Sequence, residues 1–302
     1  MTSGARLTES LRAVSWRLEP RDLVIASLLY EHRTLTTAQI AAILFTSDRT
    51  CRNRLAALRT LGFVDWFVPI RRGRRLPTHW LPGLLAARYV ALRDGGRPPT
   101  TKAVREMQDR VVATSHLAHV DATNQFFVDL IALSRRRPDA RLARWWSGPR
   151  TAAAFGRRVH PDGHGVWRDA GRQVAFFLET DLGNETQSVL AAKVAPYERL
   201  RLVGGPAWPV LFWLPTPARE ANLVARLAST APPVVPVATA NRRYATDVGP
   251  AGPVWTVVGG GADRVGLADL PSVAGAVGTF DPGPPTADQD PLYLLDQDPA
   301  AE

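Results

Sequence analysis

Apolar residues along the first ninety positions fall at helical spacing in three successive runs. From Arg21 to His32, Leu23, Ala26, Leu28 and Leu29 form one stripe. After Thr36 and Thr37, both suited to cap a helix, Ala38–Phe45 carries Ile40, Ala41 and Leu44 on one side. Thr46-Ser47-Asp48 reads as a turn. Arg49–Leu61 then places Cys51, Leu55, Leu58 and Leu61 three or four apart, and Gly62 stops the helix. The period changes at Phe63–Ile70, where β-branched and aromatic residues predict a strand, and Thr78–Leu81 predicts a second. Between them Arg71-Arg72-Gly73-Arg74-Arg75 predicts a basic turn. One more helix is expected at Leu84–Leu92, and the Gly- and Pro-rich stretch 94–101 reads as a linker.

Beyond it, the pattern predicts one long helix from about Thr101 to Arg136, then strands at Arg141–Trp146, His160–Trp167 and Gln173–Asp181. A helix at Asn184–Leu202, a strand at Pro209–Leu214, a helix at Ala218–Leu227 and strand fragments at Val234–Ala238 and Val254–Val258 follow. Alternating helices and strands predict α/β (α+β) layering. The expected organisation is a flexible leader at 1–19, a helical and winged unit at 20–93, the linker, an α/β unit at 102–270, and a disordered acidic tail at 271–302 that is rich in Gly, Pro and Asp.

Charge sharpens this division. Residues 1–110 carry 19 Lys and Arg against 9 Asp and Glu, whereas 111–302 carry 18 against 19. A basic front half joined to a near-neutral remainder points the front at a polyanion. A single cysteine, Cys51, excludes a disulfide framework and a Cys-rich zinc site and fits a reducing cytoplasm. No apolar run reaches the length of a membrane span, so no membrane partner is expected.

Three helices, a basic third helix and a two-stranded wing compose a winged helix-turn-helix pattern. Arg49, Arg52, Asn53 and Arg59 fall away from the apolar stripe of the third helix. There arginine can bond guanine bidentately and asparagine can bond adenine. Arg71, Arg72, Arg74 and Arg75 would follow the backbone or enter the minor groove of double-stranded DNA. The competing reading makes these arginines a solvated face.

The middle of the chain carries acidic residues in a hairpin pattern. With a turn between Ala170 and Gly171, paired positions place Asp162 opposite Glu179 and His160 opposite Asp181, all on one sheet face. Carboxylates opposed in this way destabilise a sheet unless a cation intervenes, and an oxygen-rich site suits Mg²⁺ or Mn²⁺. Counting four by four from Glu185 brings Lys193 and Tyr197 to the same helix face. Only two lysines, Lys102 and Lys193, stand among 35 arginines, which draws attention to Lys193.

Pro161-Asp162, Glu179-x-Asp181 and Lys193 resemble the PD-(D/E)xK nuclease superfamily. The winged front, His116-x-x-His119, Pro161-Asp162, the run Glu179–Glu185, and Lys193 followed by Tyr197 together resemble the actinobacterial plasmid replication-relaxation family, over roughly residues 20–215. The resemblance implies a winged helix-turn-helix followed by a restriction-endonuclease-type α/β domain. It implies a plasmid or mobile-element protein that binds origin-like duplex DNA and nicks or relaxes it as a Mg²⁺-dependent endonuclease, with plasmid replication or transfer proteins as partners. Asp162, Glu179 and Lys193 would be catalytic, Asp162, Glu179 and Asp181 would bind metal, and Glu185, His160 and Tyr197 would support them. Tyr197 also has the chemistry of a relaxase-type nucleophile. One departure stands out: the lysine that the nuclease pattern puts two residues after the glutamate is Asp181 here. The alternative expectation is a non-catalytic DNA-binding regulator or replication accessory factor.

Overall fold

A computed structural model describes residues 11–229, 233–261, 263–276, 278 and 280–296. The chain is mixed α/β and divides into two compact units. Residues 1–124 with 291–302 form the first, and 125–290 form the second.

The first unit is built on three helices, α1 (Pro20–His32), α2 (Thr37–Leu44) and α3 (Asp48–Thr60). Each begins on a local signal. Glu19 and Asp22 cap α1 reciprocally with Pro20 in its first turn, Thr36 and Gln39 cap α2, and Ser47 accepts a hydrogen bond from the Thr50 N–H at the start of α3. Helix α3 ends as Gly62 N–H bonds the Arg59 carbonyl and Phe63 N–H bonds the Leu58 carbonyl, a Schellman closure. Ile25, Leu29, Ile43, Leu55 and Leu58 are fully buried between the helices. A three-stranded antiparallel sheet runs in the order β1 (Leu35–Thr36), β5 (His79–Pro82), β2 (Val64–Phe67). Between β2 and β5 projects a two-stranded hairpin of β3 (Ile70–Arg71) and β4 (Arg74–Arg75). Its turn residues Arg72 and Gly73 both have positive φ, 49° and 74°, the geometry that continues strand twist through a two-residue loop. Helices α4 (Leu84–Arg93) and α5 (Thr101–Val112) complete this part.

The long helix expected over 101–136 is interrupted. Helix α5 ends at Val112, and α6 (Leu117–Ser134) starts after a turn in which Thr114 Oγ1 accepts a hydrogen bond from the His116 N–H. A local side-chain bond of this kind competes with helix continuation. His116 therefore lies in the turn and is exposed, while His119 lies in α6. The boundary between the two units falls within α6, after Asn124.

The second unit is organised by a six-stranded mixed sheet in the order β11-β10-β9-β8-β7-β6. The strands are β6 (Ala140–Ser147), β7 (Gly163–Asp169), β8 (Arg172–Thr180), β9 (Val210–Leu214), β10 (Val237–Asn241) and β11 (Thr256–Val257). A short helix, α7 (Gly148–Ala154), which the apolar pattern did not announce, follows β6 with Ser147 as its cap. Strands β6, β7 and β8 form an antiparallel meander, whereas β8, β9 and β10 are parallel. The parallel connections run through α8 (Gln187–Ala192) with α9 (Val194–Leu202), and through α10 (Pro217–Ala228).

Alternation splits the β8 side chains between two apolar layers. Phe176 packs with Phe126 and Phe127 of α6, and Gly165 leaves room for those rings: a Cβ there would lie 2.4 Å from Phe176. Ala175 and Phe177 join Val210, Phe212, Leu190, Tyr197 and Leu223 in the other layer.

The single helix expected over 184–202 is two helices, broken at Lys193. Pro196 accounts for the break, because it has no N–H for the Ala192 carbonyl and its ring crowds that carbonyl. Residues beyond 270, expected as a disordered tail, hold fixed contacts where they are described. Asp281 accepts hydrogen bonds from the Gly275 and Gly283 N–H groups, Arg144 donates to Gln289, and Ser272 bonds Ala175. Polar partners hold this segment in place of a continuous apolar stripe, which explains why composition read it as disordered. Residues 297–302 lie outside the described residues, as do residues 1–10 of the expected flexible leader. Nearer α1, Glu19 and the Arg17 carbonyl are tied to Arg54.

Candidate functional site

In the first unit, helix α3 and the β3–β4 hairpin carry the expected arginines on the outside. Arg49, Arg52, Asn53 and Arg59 are exposed, as are Arg71, Arg72, Arg74 and Arg75. The arginine that the pattern did not single out, Arg54, turns inward. It donates to the fully buried Asp22 carboxylate and to the Arg17 carbonyl, and lies 3.0 Å from Glu19. Its guanidinium thus serves packing, and its neighbours Arg52 and Asn53 stay free for a partner. Burial pushes the Cys51 thiol up to about 12, which fits an inert core residue.

The second unit holds a cluster of charges where β8 ends. The hairpin register runs from Asp169↔Arg172 to Gly163↔Leu178, so Asp162 follows directly on the strand position opposite Leu178. Asp162 N–H bonds the Leu178 carbonyl, and the Asp162 carboxylate accepts from the Thr180 N–H at 2.7 Å. Glu179 continues the row of Ala175 and Phe177 and therefore points into the apolar layer beneath α8 and α9, where it is 4% exposed. There Tyr197 donates its hydroxyl proton to Glu179 Oε1 at 2.5 Å, and Lys193 Nζ lies 3.3 Å from Glu179 Oε2. Lys193 also pairs with Glu185 at 2.9 Å. The helix break at Lys193 and the turn of α9 after it bring the ammonium and the phenol to the same carboxylate.

Burial, reinforced by the charge of Asp162, pushes the Glu179 carboxyl up to about 7 despite the opposing pull of Lys193 and Tyr197. The folded chain therefore keeps a proton on Glu179 that the unfolded chain releases between the ordinary value of 4.5 and about 7. Stability from this group falls as pH rises through that window, by an amount on the order of 3 kcal/mol. Glu179→Gln is accordingly expected to melt several degrees above the parent protein at pH 8 and close to it at pH 5. A parent protein at least as stable as the variant at pH 8 would contradict this electrostatic account.

The other expected site residues are distributed differently. Asp181 is buried, and its carboxylate is gripped by both Arg219 Nε and Arg219 Nη2. Arg219 also binds the Glu185 carbonyl, and Arg242 donates to the Asp181 carbonyl. Two arginines thus hold Asp181, and Lys193 approaches Glu179 rather than Asp181. His160 is exposed, and no hydrogen bond or ion pair is found between it and the cluster among the described residues. Tyr197 is 2% exposed and burial pushes its hydroxyl well above the ordinary phenol range, so it is placed to position Glu179 and not to attack a phosphodiester. Arg219 and Arg242 were not legible as site residues. Arg219 lies 38 residues from its partner in an unremarkable amphipathic helix, and no spacing rule links the two.

Asp162, Glu179 and Glu185 all lie near the Lys193 ammonium and offer carboxylate oxygens only, the donor chemistry of a hard divalent cation. Mg²⁺ characteristically uses one or two carboxylates and keeps waters or substrate phosphates on its remaining positions. The oxygen-only donors fit such an ion, and Glu179, whose burial raises its carboxyl, would give up its proton to bind it. Among the described residues no group of three or more His, Cys, Asp or Glu side chains is arranged to hold a metal, so the protein would contribute the Asp162–Glu179 pair.

A family model described as Replication-relaxation matches residues 27–211, a span that takes in α2, α3, the β3–β4 hairpin and the Asp162–Glu179–Lys193 cluster. No curated protein and no solved structure matches the chain. No helix among the described residues is long and apolar enough to cross a membrane.

Proposed function

Because the chain belongs to the replication-relaxation family, we propose that it processes DNA in replication, docking duplex DNA through a winged helix-turn-helix and cutting a phosphodiester at the Asp162–Glu179–Lys193 cluster. The observation that carries the reading is a buried carboxylate, Glu179, held beside Asp162 and 3.3 Å from a lysine ammonium, where no packing requirement calls for charge. In this reading the second unit is a PD-(D/E)xK-like core whose lysine comes from the following helix.

Helix α3 would enter the major groove with Arg49, Arg52 and Asn53 toward the bases, and the arginine hairpin would lie on the backbone or in the minor groove. Asp162 and Glu179 would hold Mg²⁺ or Mn²⁺. When bound, such an ion supplies activation of water and neutralisation of charge on the phosphate. Lys193, kept cationic beside Glu179 and Glu185, would orient the attacking water and offset charge building on the phosphoryl oxygens. Tyr197 fixes the Glu179 carboxylate through its hydroxyl. The target is origin-like plasmid or mobile-element DNA in a reducing cytoplasm, with replication or transfer proteins as partners.

The test is supercoiled origin-bearing plasmid incubated with and without Mg²⁺ or Mn²⁺. Open-circular or linear product that needs the metal and disappears in an Asp162→Ala/Glu179→Ala variant supports cleavage. Supercoils left intact at high protein concentration in every condition remove the enzymatic half of the reading.

A second reading, a non-catalytic DNA-binding regulator or replication accessory factor, is favoured by the capture of Asp181 by Arg219. That pair occupies the position where the nuclease pattern puts its lysine. It predicts sequence-specific binding that is indifferent to divalent ions. Under either reading, neutralising Arg71, Arg72, Arg74 and Arg75 together should weaken all duplexes alike and flatten the dependence of log Kd on log salt. A fluorescence-anisotropy salt series checks this, and an unchanged slope would remove the hairpin from the interface.

A further inference from the structure

Beside helix α3 lies an open groove of about 620 Å³, contained within the first unit, that the docking of duplex DNA leaves unexplained. One wall is the α3 face formed by Arg52, Ala56 and Arg59, spaced four and three apart. The other is the β2–β5 sheet, where Trp66 and Trp80 are directly opposed across the two strands and so share one sheet face. The two tryptophans differ in role. Trp80 is 7% exposed and its Nε1–H is anchored on Thr37 Oγ1, which fixes the floor. Trp66 is 36% exposed, and the Arg59 guanidinium lies 5.0 Å from its ring centroid. Ala56, small and exposed at mid-helix, keeps the wall between the two arginines low.

A large ring partly open to solvent, with the Arg59 guanidinium beside it and Arg52 lining the same groove, suits a ligand that is flat, aromatic and anionic. Stacking on tryptophan and arginine takes any nucleobase, and the arginines take its phosphate. A paired base inside a duplex offers no free face to such a groove. We infer that this groove binds an unpaired nucleotide of single-stranded DNA, with the base stacked on Trp66 and the adjoining phosphate against Arg59. The inference rests only on the reading of this chain as a DNA-processing protein, and is independent of both duplex docking and the carboxylate cluster. A protein built this way would hold locally melted DNA, keeping one strand open next to the duplex that α3 reads.

Three labelled probes test it with the full chain by anisotropy: a short oligothymidylate, an abasic strand of the same length, and a duplex. Trp66 is the residue to vary, because Arg52 also belongs to the duplex interface. Trp66→Ala and Trp66→Leu should each lose on the order of tenfold or more in affinity for the base-bearing strand. The abasic strand and the duplex should be held as before, and Trp66→Phe should recover most of the loss. Trp66→Leu keeps apolar bulk against Trp80, so it carries the comparison if the alanine variant melts early. Equal losses on the base-bearing and abasic strands, no loss on either, or a parent protein that prefers the abasic strand would overturn the proposal. A parent protein that binds the single strand but not the duplex would instead sink the duplex-docking reading and leave this one standing.

Discussion

Arg54→Ala is expected to destabilise the first unit by about 3–5 kcal/mol, because it strands the Asp22 carboxylate without its cation in a fully buried position. A loss of that size lowers a melting temperature by roughly 10 °C in a chain of this class. Arg52→Ala, two residues earlier on the same helix, removes an exposed side chain and should leave stability within about 0.5 kcal/mol. Its effect should fall instead on DNA: a loss of about 1–3 kcal/mol in binding and a relaxed base preference, with Asn53→Ala behaving alike. Thermal melts and anisotropy on the same preparations separate the two kinds of arginine. If Arg52→Ala melted as early as Arg54→Ala, the division of helix α3 into a packing face and a reading face would be lost.

The second large effect concerns Glu179 and Asp162. Asp162→Asn and Glu179→Gln are each expected to reduce metal-dependent cleavage by a factor on the order of 10³ or more, since each removes one of the two carboxylates available to an ion that serves as Lewis acid and water activator. The same Glu179→Gln substitution should raise stability at pH 8, because it removes a buried group that the fold resists ionising. Loss of activity together with gain of stability is the signature of a residue retained for chemistry. Lys193→Met should also reduce cleavage, and it should leave duplex affinity unchanged, since Lys193 lies in the second unit and is held by Glu179 and Glu185. A Glu179→Gln variant that cut DNA at the parental rate would show the carboxylate to be structural.

Much of this arrangement could be read from the chain because local rules governed it. The three helices and the basic turn at Gly73 announced themselves through spacing, the cap at Thr36 and glycine, whereas the short paired strands Ile70–Arg71 and Arg74–Arg75 on either side of that turn did not. The pairing Gly163↔Leu178 is the one demanded by a two-residue turn at Ala170-Gly171, both of which have positive φ. That register is what sets Asp162 beside the strand position of Glu179. Even the break at Lys193 has a local signal in Pro196, although the apolar spacing on both sides of it is continuous.

Other features had no local signal. The capture of Asp181 by Arg219 joins two elements 38 residues apart, and the inward turn of Arg54 toward Asp22 spans 32. In an arginine-rich chain, periodicity separates apolar from polar faces but does not say which arginine has found a carboxylate. The segment after 270 has no apolar signature for a related reason. Its order comes from Asp281 binding backbone N–H groups and from Arg141 and Arg144 binding Asp290 and Gln289, and such pairs leave no apolar period behind.

Titration calorimetry of Mn²⁺ at pH 6, where the buried Glu179 still holds its proton, run on the parent protein and on Glu179→Gln, tests the central claim most directly. The account predicts one ion bound per parent chain, with proton release as Glu179 ionises, and no saturable binding in the variant. Identical isotherms for the two proteins, or no binding to the parent, would contradict it.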